Sequence, residues 1–276
     1  MSALQRPLSS LVRQPTPKRL PKAKAVTIGI GLLCDDGIVL CADTQISCAG
    51  YYKYDEMKLY WHLPQAWKAV FTFSGNPVLM KSFDGKFHDA MKLASPPFTA
   101  GQIHDVIEAI LSGMDTVESD PDGLHMMCGI VIPSSEMRLL KTHRKIVTTV
   151  EAWGGVHDYV GVGDSSVLRY LGKLLAGAGI GTIRQALILG VYLTLQAKRY
   201  VDGCGGDTNV IVLRRDGTVE HKDTVAGDIE KHLIMLEAQA ENVASAISDD
   251  VSDEDFEQAL QEFCATLRQQ RKSLGK

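Results

Sequence analysis

Thr27 to Asp43, TIGIGLLCDDGIVLCAD, reads as a strand, a tight turn and a second strand that ends on a carboxylate. Ile28, Ile30 and Leu32 alternate with Thr27, Gly29 and Gly31, the period of a half-buried strand. Asp35-Asp36-Gly37 supplies the turn chemistry of a hairpin. Ile38 to Ala42 then runs apolar without a break, as a strand covered on both faces would. With Asp35 and Asp36 as the loop, Ile28 opposes Asp43 and Thr27 opposes Thr44. The hairpin thus returns a carboxylate to within reach of a threonine at the start of its first strand.

Elsewhere the pattern continues as blocks of strands and pairs of helices. Strands are expected over Lys58–His62 and Lys68–Ser74, a polar connection between the hairpin and the first of them, and a helix over Pro77–Leu93. A second helix follows Thr99, and Asp120-Pro121-Asp122-Gly123 closes this block. Further strands are expected over His125–Ile132, Met137–Thr142 and Ile146–Trp153, then helices over Ser165–Ala176 (Asp164 as N-cap) and Thr182–Tyr200. A hairpin joins Thr208–Leu213 to Val219–His221, and residues 226–272 read as helical and acidic. Helices in pairs between hairpin-linked strands argue for an α+β layered domain rather than βαβ crossovers. Hydrophobic residues make up 45% and charged residues 22%, enough to build a sizeable core.

Three segments are expected: a basic leader at 1–26, a domain at 27–225 and an acidic helical extension at 226–276. The leader holds Arg6, Arg13, Lys18, Arg19, Lys22 and Lys24, no acid, and four prolines that work against an amphipathic targeting helix. A net charge of −4 gives no sign of nucleic-acid binding, and no apolar run suits a membrane span. The six cysteines form no CxxC pair and read as reduced thiols of a cytoplasmic protein. The histidines lack ligand spacing, so no metal is expected, and no phosphate-cradling glycine motif is present. No cofactor is expected either.

The hairpin resembles the opening of proteasome β-type subunits and of the bacterial heat-shock-locus protease, within the N-terminal nucleophile (Ntn) hydrolases. There a threonine opens the mature chain, a glycine sits in the turn and Ala-Asp ends the second strand. Met57-Lys58-Leu59, Phe73-Ser74-Gly75, Val160 to Ser165 and Asp202-Gly203-Cys204-Gly205-Gly206 resemble that family's later motifs in the same order. The resemblance implies a four-layer αββα sandwich, two antiparallel sheets between helical layers. It also implies a threonine-type endopeptidase in a homo-oligomeric ring, acting on polypeptide, with any ATP dependence supplied by a separate ATPase partner.

By the same resemblance the catalytic residues are Thr27, Asp43, Lys58 and Asp202, and the cleft is lined by Thr44, Gln45 and Ser47 on one wall and Gly75 on the other. A threonine hydroxyl needs a base, and a terminal α-amine, with a pKa of about 7.7–8.0, supplies one. Lys58 would stabilise the developing alkoxide, and Asp43 would hold the lysine charged. Lys53 is the nearest competitor for the role of Lys58. Three departures stand out: Val26 replaces the family's glycine before the nucleophile, Val162 replaces a serine, and Cys204 replaces another. They favour one alternative, a silent ring or scaffold subunit; a second alternative is an amidase that cleaves small molecules with the same terminal nucleophile. Residues 1–26 are expected to be absent from the working chain, by autolysis or by initiation at a GTG codon in position 26.

Overall fold

A computed structural model describes residues 28–48, 52–96, 98–114, 123–133, 135–150, 157–161, 166–176, 179–247 and 251–273. Thr27, Asp164, Ser165 and the far end of the expected Ile146–Trp153 strand lie outside the described residues.

The hairpin forms as β1 (Ile28–Cys34) and β2 (Gly37–Asp43), paired antiparallel with Gly29 opposite Ala42 and Cys34 opposite Gly37. That is the register expected from the turn. Three short strands follow, β3 (Gln45–Cys48), β4 (Tyr52–Asp55) and β5 (Leu59–His62), then β6 (Lys68–Gly75). Helices α1 (Pro77–Leu93) and α2 (Ala100–Ser112) lead to β7 (Leu124–Ile132), β8 (Glu136–His143), β9 (Ile146–Thr149) and β10 (His157–Gly161). The chain continues through α3 (Ser166–Ala176), α4 (Ile183–Tyr200), β11 (Thr208–Arg214), β12 (Val219–His221), α5 (Asp223–Ser245) and α6 (Asp253–Ser273).

Among the described residues, then, the fold is α+β, with three antiparallel sheets and six helices. One five-stranded sheet runs β10-β1-β2-β11-β12, the other β5-β6-β7-β8-β9, and β3 pairs with β4 alone. The expected polar connection between β2 and β5 is therefore partly that two-stranded sheet. The strand β10, which covers the outer edge of β1, was absent from the sequence expectations. The helical C-terminus is two helices, and the first, α5, begins at Asp223 with Ala226 and Ile229 in the core.

Period-2 alternation sorts the strand side chains into three apolar clusters. Ile28, Ile30 and Leu32 join Val39, Cys41, Val210 and Val212 beneath α4 and α5. Ala69, Phe71 and Phe73 join Met126, Cys128 and Ile130 against α1 and α2. The opposite faces, Ile38, Leu40, Ile211 and Leu213 from one sheet and Val70, Met127 and Leu139 from the other, share the third cluster. On that face β1 carries glycine: a Cβ on Gly29 would lie 2.5 Å from Thr72 Oγ1, and one on Gly31 would lie 2.6 Å from Met127 Cε. The alternation of apolar residue and glycine thus encodes close approach between neighbouring strands of different sheets.

Helix starts are fixed locally. Thr99 and Thr182 each close a reciprocal capping box, with Gln102 and Gln185 at the third helical position. Asp36, in the hairpin turn, accepts the N–H of Ile183 at 2.8 Å, so the turn also holds the N-terminus of α4. No helix of the described residues is long and apolar enough to cross a membrane.

Candidate active site

Asp43 ends β2 with no solvent exposure, and Lys58, just before β5, is 1% exposed. Lys58 Nζ donates to Asp43 Oδ1 at 2.9 Å and to the carbonyl oxygen of Gln45 at 2.5 Å. The Ile28 N–H donates to the same Oδ1 at 3.2 Å, and the Gly205 N–H donates to Oδ2 at 3.1 Å. One carboxylate therefore joins the start of β1, the end of β2, the approach to β5 and the loop before β11. Burial pushes the Asp43 carboxyl above its ordinary range, opposed by the Lys58 charge and by the N–H groups of Gly205 and Ile28. Burial likewise pushes Lys58 down, opposed by the Asp43 charge. Removing two charges from water is costly, and the three donors on Asp43 offset part of that cost.

The loop at 202–206 completes the enclosure. The Gln45 N–H donates to Gly205 O at 3.1 Å, and Gln45 Nε2 donates to Gly203 O at 3.1 Å. Gly206 has φ 69°, and a Cβ there would fall 2.2 Å from Thr44 Oγ1. Gly205 needs no positive φ; its constraint is close approach, since a Cβ would meet Gln45 Oε1 at 2.7 Å. Thr44 is 7% exposed, and its hydroxyl donates to Asp55 Oδ1 at 3.0 Å while accepting the Asp207 N–H at 2.8 Å.

The structure thus brings Asp43 and Lys58 into contact. Asp202 lies on the exposed side of its turn, whereas Cys204 is 8% exposed and faces Asp43 and Lys58. Burial, with the Asp43 charge beside it, pushes the Cys204 thiol up to about 12. Lys53 is exposed in β4. Of the expected cleft residues, Thr44 is held beneath the surface, Gln45 is half-buried, and Gly75 is buried with φ 111° at the end of β6. Thr27 and the Ser47 side chain lie outside the described residues. Sequence reasoning missed Asp55 and Asp207, which pin Thr44. Both sit in polar stretches with no apolar period to mark them. No group of three or more metal-ligating side chains occurs among the described residues.

No protein-family model matches this sequence, and no curated protein does. Solved structures do. A Gly-1 mutant of Anbu from Hyphomicrobium sp. strain MC1 is 14% identical with a TM-score of 0.63, over 79% of this chain and 99% of that one. Anbu from Yersinia bercovieri, described as an ancestral β-subunit, is 12% identical with a TM-score of 0.62, over 77% and 97%. A helical assembly of the Anbu complex from Pseudomonas aeruginosa is 12% identical with a TM-score of 0.60, over 82% and 99%. The fold is shared with Anbu.

This corrects the relationship inferred from the motifs. The structures compared above are of Anbu, one of them described as an ancestral β-subunit, and none of these is named as a proteasome β-type subunit or for N-terminal nucleophile chemistry. The physical reason is that the motifs are short and encode shared geometry. A hairpin with a terminal Ala-Asp and a lysine that pairs with it suits any branch built on this fold. The departures at Val26, Val162 and Cys204 are where the sequence itself left the proteasome pattern.

Proposed function

We propose that this chain is a threonine-type peptidase subunit of a proteasome-like, self-assembled cytoplasmic complex, with Thr27 as N-terminal nucleophile once residues 1–26 are removed. The observation that carries the reading is the buried Asp43–Lys58 pair, whose carboxylate also accepts the N–H of Ile28, the residue joined to Thr27. A scaffold has no physical need for two buried charges at the start of its first strand. The three apolar clusters support a four-layer αββα arrangement, with residues 27–225 as the catalytic domain and 226–276 as the helical extension.

In the proposed reaction Thr27 Oγ attacks the peptide carbonyl and its proton passes to the terminal amine. That proton goes on to the departing amine, leaving an ester that water hydrolyses with the amine again as base. Lys58 stabilises the alkoxide as it forms, and Asp43 orients Lys58. Asp202 is proposed to orient the terminal amine, and Gln45, Ser47 and Gly75, with Thr44 behind them, to shape the substrate cleft. The helical assembly described for Anbu of Pseudomonas aeruginosa supports a homo-oligomer here.

The deciding experiment joins an intact mass with a kinetic comparison. A mature chain beginning at Thr27 that hydrolyses peptide amides, and a Lys58→Ala variant that folds but loses about a hundred- to a thousandfold in rate, are the expected results. A chain that retains residues 1–26 and turns over no peptide would leave the scaffold as the better account. That second reading draws on the exposure of Asp202 and the thiol of Cys204.

A further inference from the structure

A hollow of about 910 Å³ lies between the β5–β6 turn and α1, and none of its walls belongs to the Asp43–Lys58 site. It has the size of a small-molecule pocket. Its aromatic walls are held by the fold itself. Trp67, 3% exposed, stands edge-on to Phe87 with ring centres 5.9 Å apart, and Phe98 lies 6.1 Å from it on a tilt. Trp61 stands edge-on to His221 at 4.5 Å and keeps 37% of its surface exposed. Rings fixed in this way offer contact area without a further cost of ordering.

Gly85 lies in the interior of α1 and borders the hollow. Only proline is less favourable at such a position. Neither usual reason for a glycine applies: its φ is not positive, and a Cβ there would meet no atom within 4 Å. What the glycine does is leave the helix backbone bare where a flat group can lie against it. The titratable groups of the hollow are unequally committed. Asp84 has its partner, His62, at 2.9 Å. His88 and Lys92 have no hydrogen bond or ion pair, and His88 only tilts against the His62 ring at 5.7 Å. Gly85, His88 and Lys92 are spaced i, i+3 and i+7, so the two open groups continue one stripe of α1 beyond the bare backbone. A basic residue in a last turn also complements the helix dipole, but that role calls for neither the aromatic walls nor Gly85.

We infer that this hollow binds a small planar aromatic carboxylate, its ring against α1 at Gly85 beside Trp61 and its carboxylate on Lys92, with His88 as a second donor. The ring takes up the apolar surface that Trp61 and Phe98 present. The carboxylate meets a cation with no other partner, in a charge-assisted hydrogen bond. A cationic ligand of the same shape finds no equivalent, because the acid of the hollow is already paired with His62.

Fluorine NMR of the whole chain with a ring-fluorinated indole acetate tests this. The probe holds no bond for a peptidase to cut, so the result does not depend on the peptidase reading. Saturable broadening of its resonance is expected, with a Kd of about 1 mM or tighter. Lys92→Glu should weaken binding at least about tenfold, and so should replacing the probe by the matching fluorinated tryptamine. Gly85→Leu should weaken it as much, and its side chain enters open space, so the fold should hold. Gly85→Ala should raise the urea midpoint, because alanine is the better helix former and no neighbour is displaced. Broadening that does not saturate, or an affinity unchanged in Gly85→Leu, would overturn the inference. Equal binding of the amine would overturn the charge assigned to the ligand. A lower midpoint in Gly85→Ala would show that the fold needs the glycine and overturn the seat assigned to the ring.

Discussion

The Asp43 carboxylate and the Lys58 ammonium are each moved toward neutrality by burial and back toward charge by the other. Because the folded-state value of Lys58 lies below its ordinary 10.5, the folded chain releases that proton before the unfolded chain does. Between the folded value and 10.5 the unfolded state binds more protons, so this group's contribution to stability rises with pH and is lost as pH falls through the folded value. The difference in urea midpoint between wild type and Lys58→Met should therefore shift in favour of the wild type as pH is raised toward 10. At neutral pH, Lys58→Met leaves Asp43 buried and unpaired, at a cost of about 3–5 kcal/mol, whereas Asp43→Leu with Lys58→Met should recover much of it. A double-mutant cycle measures that recovery. Cys204 gives a second residue-scale expectation. With its thiol pushed up to about 12 and nearly covered, it should resist iodoacetamide at pH 8 in the native chain and react on unfolding, as read by peptide mapping.

Elements were legible wherever one periodicity dominated. The hairpin, β6, β7 and α1 carry long runs with a single buried face, and the expected bounds fall within two residues of those found. Strands β3, β4 and β10 were not legible, because Gln-Ile-Ser-Cys and Tyr-Lys-Tyr-Asp alternate over only four residues, too few to mark a period, and His-Asp-Tyr-Val-Gly does not alternate. The pairing of β10 moreover comes from a neighbour far along the chain, β1. The candidate site divides the same way. The place of Asp43 follows from hairpin register and Lys58 came from the motif resemblance, but the bonds of Thr44 to Asp55 and Asp207 depend on the 202–207 loop folding back over β3. The glycines of β1 give a test at this scale. Gly29→Ala would drive a methyl into β-branched Thr72 and should cost about 1–3 kcal/mol by chemical denaturation, as overpacking does.

Across the whole molecule, α5 is tied to α4 by Lys198 to Glu230 at 2.8 Å and by Gln196 to Glu237 at 2.6 Å. Gln270 of α6 donates to the His232 carbonyl of α5 at 2.7 Å, so the C-terminal helices form part of the same packed body. In the proposed assembly, light scattering at micromolar concentration should return a mass well above the 30.1 kDa of one chain, and a value near it would count against self-compartmentalisation. The Asp43 carboxylate has a further consequence, one of timing. Its partners lie 15 residues away on either side and 162 residues away at Gly205, so the constellation cannot close until the first hairpin and the penultimate strand have met. Contacts of such separation form late in folding. A nascent or half-folded chain therefore has no assembled site, and any hydrolytic capacity is withheld until there is a finished wall to contain it.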